Sequence, residues 1–538
     1  MKTKFSPLLL LPVFMVLLVQ GCSKKQINYP AKKDGVNITH AIHSIYEDGQ
    51  QATFKITNLA AAKTLEIGNT ALNNGAIANL ANFLGDTPGH NNQKWKVRNI
   101  GEGFYTIMNL GSGKFLEANG INVMQNQATN TKKQLWSVQV IGNGNYKIIN
   151  MSNGLVLGST IANASIELAA YTNPKLQGWE ITPTPSESYR DDEVTRFFQR
   201  TTGSTAFDGG ASIPLSTGQV LWVTNDTFYN QINATGNFDC GTIFPYRNSS
   251  LLQPASKSWD PALTVNIMSP FGVETFRTAN NKNLLWPGAG IQVGNKVYVH
   301  TIEVPRNNLD IINQYLSVVT IGNAAATISS VQNLSIPGLT GQTGIIYSLG
   351  MVKPNDGYVY VYGAGGHVNS IVYVARFAEN NPALWTFWDG TIWAKNPTTT
   401  TSAQVGKGPI NNNTVGYIKG KYILVAMDFG FACDAEPRNV YTSISTSPTG
   451  PFTNKKYVYT LPDMKQGHKP VFYNPTIHAE FDNGDNELLV NYCVNWYGKN
   501  NGTNATCLPD CSNPDGSKDP NDYRPKGIRI PYSVIGLE

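Results

Sequence analysis

An all-β protein in two parts is what this sequence predicts, and three observations carry that expectation. The first third repeats Gln-x-Trp at nearly equal spacing: Gln93-Lys94-Trp95, Gln134-Leu135-Trp136 and Gln177-Gly178-Trp179. The rest repeats a hairpin five times, each with a tight Gly- or Asn-bearing turn. Helical periodicity is scarce, confined to Asp191–Arg200, a stretch that suits a linker strand equally well. Charged residues make up only 14% of the chain, against 50 glycines, a composition that suits an exported, turn-rich β protein.

The Gln-x-Trp interval is about forty residues, the scale of a repeat architecture. Each unit carries an alternating strand: Phe54-Lys55-Ile56-Thr57-Asn58, Tyr105-Thr106-Ile107-Met108-Asn109 and Tyr146-Lys147-Ile148-Ile149-Asn150. A small-residue turn and a Leu-rich strand follow. A unit this small cannot bury its own apolar face, so three must pool their Trp rings in one core. The Gln amides are expected to tie loop backbone.

Over residues 48–185 this pattern resembles the ricin-type β-trefoil lectin domain. The resemblance implies sugar binding by an acid just after the Leu of each repeat, a mid-repeat aromatic and an Asn near the Gln. The first repeat offers Glu66, Asn92 and Phe83. The second offers Glu117 without an obvious aromatic, and the third has Gly158 in the acid's place, with Tyr171 retained. Glu replaces the more usual Asp, and the third site looks impaired.

The N-terminus places Lys2 and Lys4 before an apolar run from Leu8 to Val19, then Gln20-Gly21-Cys22. This is the layout of a secretory signal. The run falls short of the roughly twenty residues that a membrane span needs. Cys22 resembles a bacterial lipobox cysteine, implying cleavage before it and lipid on it, so that the protein is anchored without spanning. The expected division is a signal over 1–21, lipidated Cys22 and a tether over 22–47, the trefoil over 48–185 and a large domain over 186–538. The expected location is the cell envelope, at the outer membrane. Net charge is +5 without a Lys/Arg block, which argues against nucleic acid as a partner. A monomer is expected.

Five cysteines remain beside Cys22, so not all can pair. Cys507 and Cys511 could bridge locally, Cys493 alternates with apolar residues as a buried thiol would, and none has zinc-finger spacing. No metal or cofactor is expected. Asp482–Asp485 is acidic enough to suggest structural calcium, but its spacing does not fit an EF-hand loop.

In the large domain, Ala211–Leu215 turns into Val220–Thr224, and Gly290–Val293 into Val297–Thr301. Tyr347–Val352 turns into Tyr358–Tyr362, Thr414–Ile418 into Tyr422–Met427, and Thr476–Phe481 into Glu487–Tyr492. A period of about sixty to seventy residues leaves room for two more strands per unit. Five such sheets set radially make a five-bladed β-propeller; the alternative is an irregular sandwich. Arg196–Thr201 and Ile528–Val534 are candidates for pairing the two chain ends in one blade.

In a propeller the first strand of each blade lines the channel, and the second ends on the rim where the first begins. Asp226, Glu303, His367, Asp428 and Asn495 fall at such ends; Asp208, Trp286, His478 and Glu480 fall just before or within first strands. Ring closure would gather them around one mouth, the expected place for a binding site.

Ala206-Phe207-Asp208-Gly209-Gly210-Ala211-Ser212 and Leu221-Trp222-Val223-Thr224-Asn225-Asp226-Thr227-Phe228 resemble the first blade of a bacterial propeller family filed as a domain of unknown function, some relatives of which are endo-D-arabinanases. Leu285-Trp286-Pro287-Gly288-Ala289-Gly290-Ile291, Trp385-Thr386-Phe387-Trp388-Asp389-Gly390, Ser447-Pro448-Thr449-Gly450-Pro451-Phe452 and Tyr473-Asn474-Pro475-Thr476-Ile477-His478 continue the resemblance. Relatives often carry an Asp where this chain has Ala289, which leaves Glu303 as the substitute acid on the second blade. Five-bladed glycosidases place an Asp base or nucleophile on the first inner strand, matching Asp208. Glycoside hydrolysis needs one protonated and one ionised carboxyl. The expected roles are therefore Asp208 as base or nucleophile, Asp226 or Glu480 as acid, and His478 orienting or binding. Trp286 and Trp496 would be stacking faces, with Glu303 and Asp428 as further substrate contacts.

The function expected is a lipid-anchored glycoside hydrolase acting on a polysaccharide, arabinan-like or otherwise furanoside-rich, with the trefoil holding glycan. The alternative is a non-catalytic glycan-binding lipoprotein. A polysaccharide lyase ranks behind both, because an acidic rim repels an anionic substrate.

Overall fold

The computed structural model describes residues 53–86, 89–160, 165–308, 310–322, 327–365, 369–409, 412–428, 430, 436–465, 467–495 and 513–537. Cys22, His367, Cys433, Trp496, Cys507 and Cys511 lie outside these residues.

Strands from Thr53–Asn58 to Trp179–Thr184 form one twelve-stranded sheet, the first paired with the last. Trp95, Trp136 and Trp179 are fully buried in a single core. Their threefold relation is exact in chemistry: each indole Nε1 donates to the carbonyl of the repeat's Leu, Leu65 at 2.9 Å, Leu116 at 3.0 Å and Leu157 at 2.9 Å. Rings of this size fill the centre while their one polar atom stays satisfied. Gln93, Gln134 and Gln177 tie loop backbone as expected, donating to Asn82 O, Gln127 O and Ala170 O and accepting from Leu84 N, Thr129 N and Thr172 N. This is the β-trefoil.

The remaining strands make five sheets. The inner strands are Ser204–Pro214, Asn283–Val293, Ile345–Val352, Asn413–Ile418 and Val471–His478. Each packs against the next, and the last packs against the first, which closes a five-bladed ring and rules out the sandwich. Apolar residues between neighbouring sheets form the cores, such as Ile213, Leu285 and Val299 between blades one and two.

Ring closure uses the expected C-terminal segment, whose Ile528–Pro531 is in the closing strand pair, but not the expected N-terminal one. The outermost strand of blade five is Tyr189–Asp191, paired with Lys526–Pro531. Arg196 instead belongs to a short helix, Asp192–Phe197. Asp191 caps it, its Oδ1 accepting from Val194 N at 3.0 Å, and Val194 and Phe197 bury its apolar side.

The trefoil grips this closing strand, with Lys96 Nζ 3.1 Å from Tyr189 OH, and the residues around it. Lys96 Nζ meets Glu487 at 2.9 Å and Asp485 at 2.8 Å, Lys114 Nζ meets Asp192 at 2.7 Å, and Lys94 and Arg98 pair with Glu187 and Asp485. Gly113 (φ +70°) lies so close that a Cβ there would stand 2.3 Å from Arg190 O. Asp485 thus pairs with two trefoil cations. Among the described residues no cluster of three or more His, Cys, Asp or Glu is arranged to hold a metal.

Candidate active site

The inner strand of blade one loses register with its neighbour between Phe207 and Gly209, where Phe207 pairs with Thr227 and Gly209 with Thr224. Asp208 on one strand, and Asn225 and Asp226 on the other, fall in this gap. Bulges of this kind re-aim side chains at the rims of closed sheets. Gly209 (φ +73°) and Gly210 (φ +87°) adopt the left-handed backbone that the irregularity requires. Blades two, three and five break register on their inner strands too, at Pro287/Gly290, Ile346/Gly350 and Tyr473/Thr476, while blade four runs without interruption.

Asp208 and Asp226 are 6% and 3% exposed and interact electrostatically. Asp226 Oδ1 accepts from Trp286 Nε1 of blade two at 3.1 Å and from Arg247 at 3.4 Å. Arg247 is itself held, with its guanidinium 4.3 Å from the Phe244 ring and its backbone N–H donating to Glu274. Among the described residues, none of the groups acting on Asp208 is a cation. Its Oδ2 accepts from Tyr473 OH at 3.1 Å, and both Tyr473 and Tyr523 favour its ionised form. Cys493, a buried free thiol as expected, closes the floor, accepting from Gly209 N at 3.2 Å. Burial raises both carboxyls above the ordinary carboxylate range. The neighbouring Asp226 raises Asp208 further, whereas Arg247 and Trp286 pull Asp226 back down.

Not every expected residue joins this pair. His478 ends the inner strand of blade five, and Glu480 follows it, so both lie at the opposite end of the ring from Tyr473 and Asp208. There His478 Nδ1 and Ser212 Oγ are 2.6 Å apart, Ser212 donates to Glu480, and the imidazole packs 5.0 Å from the Trp222 ring in the seam between blades five and one. Burial pushes His478 down to about 3 and raises Glu480. The structure thus places these two residues in the seam between blades five and one and does not bring them into contact with the Asp208–Asp226 pair. Glu303 accepts from Asn283 and Tyr315 within blade two, and Asp428 Oδ2 from Asn439 N and Tyr441 in blade four, so neither contacts the pair. Trp286, half-buried, donates its Nε1–H to Asp226. Trp496 and His367 fall outside the described residues.

Sequence reasoning missed Arg247, Tyr473 as a partner of Asp208, and Tyr523. Tyr473 stands in a quoted motif, which was the one available signal; Arg247 and Tyr523 lie in irregular segments without a periodic pattern.

In the trefoil, Glu66 accepts from Gln93 at 2.9 Å and Asn92 at 3.4 Å, and Glu117 accepts from Gln134 and Asn126, both at 2.8 Å. A Cβ at Gly158 would stand 2.9 Å from Gln177 Cγ, so the third repeat has no room for an acid as placed. Phe83 and Tyr171 each carry a lysine over the ring, Lys55 at 5.0 Å and Lys147 at 4.7 Å.

A lectin-like trefoil clasped to a five-bladed propeller with a buried carboxyl pair on its rim is the class that fold and site define. The chain belongs to the family described as Domain of unknown function (DUF5005), whose model matches residues 191–532. The ricin-type beta-trefoil lectin domain-like model matches residues 39–131 and 91–169. No curated protein matches the chain. Among solved structures, a Bacteroides ovatus protein named "putative hydrolase" is 20% identical, with 64% of this chain and 90% of that one covered at a TM-score of 0.50. The designed threefold protein ThreeFoil is 23% identical over 24% of this chain and 97% of its own, with a TM-score of 0.23. The exo-beta-1,3-galactanase 1,3Gal43A of Clostridium thermocellum is 20% identical over 25% of this chain and 31% of its own, with a TM-score of 0.23.

Proposed function

We propose that this protein is an exported glycoside hydrolase, anchored through lipid on Cys22, that cuts a polysaccharide at its propeller and holds glycan at its trefoil. The observation that carries the reading is the Asp208–Asp226 pair. Two acids share a bulge at the rim of a closed ring, one beside an arginine and one without a cation, and glycoside hydrolysis needs two carboxyls in different protonation states. Glu66 with Asn92, and Glu117 with Asn126, support a sugar-binding role for the first two repeats. Joining a binding module to a catalytic one raises the local substrate concentration. A furanoside-rich polymer such as an arabinan is the substrate proposed, and the outer membrane the location.

The test is product chromatography on a polysaccharide panel including D-arabinan and L-arabinan, with Asp226→Asn as control. New oligosaccharides from the parent alone are expected. Binding on an affinity gel without any release, from a folded protein, would sink the hydrolase. That result would leave the glycan-binding lipoprotein, which Ala289 on blade two favours.

A further inference from the structure

We propose that Asp208 carries the proton that goes to the departing glycosidic oxygen and that Asp226 is its ionised partner, with Tyr473 positioning the first and Arg247 and Trp286 positioning the second. This rests on the hydrolase reading above. It reverses the role that the resemblance to five-bladed glycosidases implies for Asp208.

The surroundings decide the roles. Asp208 faces Asp226 from the second strand of its own blade, Tyr473 and Cys493 from blade five, and Tyr523 from the segment that follows. None of these is a cation. Arg524, close in sequence to Tyr523, directs its guanidinium to the carbonyls of Thr205 and Arg200. Asp226 faces Asp208 and Tyr523, but also the Arg247 guanidinium and the Trp286 N–H. Two neighbouring carboxyls removed from water do not both ionise readily; the proton settles where the anion is least supported. That place is Asp208. Its partners Tyr473 and Tyr523 are neutral hydroxyls, which support an anion less than the Arg247 guanidinium supports Asp226.

The chemistry balances without any further reagent. The bond from the anomeric carbon to the leaving oxygen breaks as Asp208 gives that oxygen its proton. The new bond to carbon forms from water, whose proton Asp226 takes, or from Asp226 itself, with water then cleaving the ester as Asp208 takes that water's proton. Either way one water is consumed and two sugar ends are released.

The test reads the two acids directly. The full chain is labelled with carbon-13 at aspartate Cγ, its resonances are assigned with Asp208→Asn and Asp226→Asn, and both are followed by NMR across pH. Asp226 is expected to ionise first, with Asp208 following more than about one pH unit higher. Arg247→Met is expected to raise the Asp226 midpoint and narrow the gap, and Tyr473→Phe to raise Asp208 alone. These two variants report on the order even if an Asn variant does not fold. Asp208 ionising first, or a gap unmoved in Arg247→Met, overturns the assignment. Titration needs no substrate, so the assignment can fail while hydrolysis is observed, and hydrolysis can fail while the order stands.

Discussion

Trp286 Nε1 of blade two donates to Asp226 Oδ1 of blade one at 3.1 Å, so the rim acid is held by a neighbouring sheet as well as by its own. Trp286→Phe keeps most of the ring volume and removes only this donor. The expected result is little change in thermal unfolding, a higher midpoint for Asp226, and a fall of about tenfold in hydrolysis, the equivalent of about 1.4 kcal/mol in the transition state. Rates on the responsive polysaccharide, measured beside a calorimetric scan, check it.

The shared proton sets the pH dependence. Both acids lie above the ordinary carboxylate range, because burial raises each of them. The rate is expected to rise as Asp226 ionises and to fall as Asp208 loses its proton, giving a bell placed to the alkaline side of one built from ordinary carboxyls. A pH–rate profile with both limbs in the ordinary carboxylate range contradicts this.

The same shifts predict a stability effect of defined sign. A carboxyl whose folded-state pKa is raised favours the fold fully below its unfolded pKa, and this contribution is lost as pH rises through the folded value. Asp208→Asn removes that loss. The variant is expected to gain melting temperature over the parent progressively from acid to alkaline pH, at about 2–4 °C per kcal/mol for a domain of this order. Parallel melts at several pH values check it. An equal difference at every pH argues against a raised Asp208.

His478 gives the opposite sign. Burial holds it near 3, so the stability it contributes is present above its unfolded pKa and is lost as pH falls toward the folded value. Truncation to Ala opens the seam beside Trp222 and is expected to cost about 3 kcal/mol, the scale of a large-to-small core change. The folded fraction should keep its hydrolytic rate. A specific loss of kcat at unchanged stability would return His478 to the active site.

The contrast between these residues shows what the sequence could convey. Trp95, Trp136 and Trp179 were legible because the same local pattern recurs with the same core role. The hairpin turns were legible because Gly and Asn mark them, and Asp208 and Asp226 because they flank the first of those hairpins. The lengths of the inner strands were not legible: Ser204–Pro214 begins well before the expected Ala211, and His478 lies at the far end of its strand from the rim. Nor were long-range partners. Tyr473 and Asp208 are 265 residues apart and meet only because the ring closes. The closing strand was misplaced for a related reason: Asp191–Arg200 carries a capped helix start, but only packing against Lys526–Pro531 makes the residues just before it a strand.

The trefoil's hold on that closing strand yields the last prediction. Lys96 is 12% exposed and its partner Glu487 1%, and Tyr189 OH of the closing strand also donates to Glu487, at 2.7 Å. Leaving such a buried carboxylate without its cation is destabilising by about 3–5 kcal/mol. Reversing the charge, as in Lys96→Glu, sets it against both Glu487 and Asp485. The parent is expected to unfold in one calorimetric transition, because the trefoil and blade five share these contacts. Lys96→Glu should separate the transitions, the propeller melting first as its seam strand is freed, and Lys96→Glu with Asp485→Lys should recover part of the loss. A single unshifted transition in Lys96→Glu would mean that the Lys96 ion pairs contribute nothing to closure of the propeller or to its coupling with the trefoil.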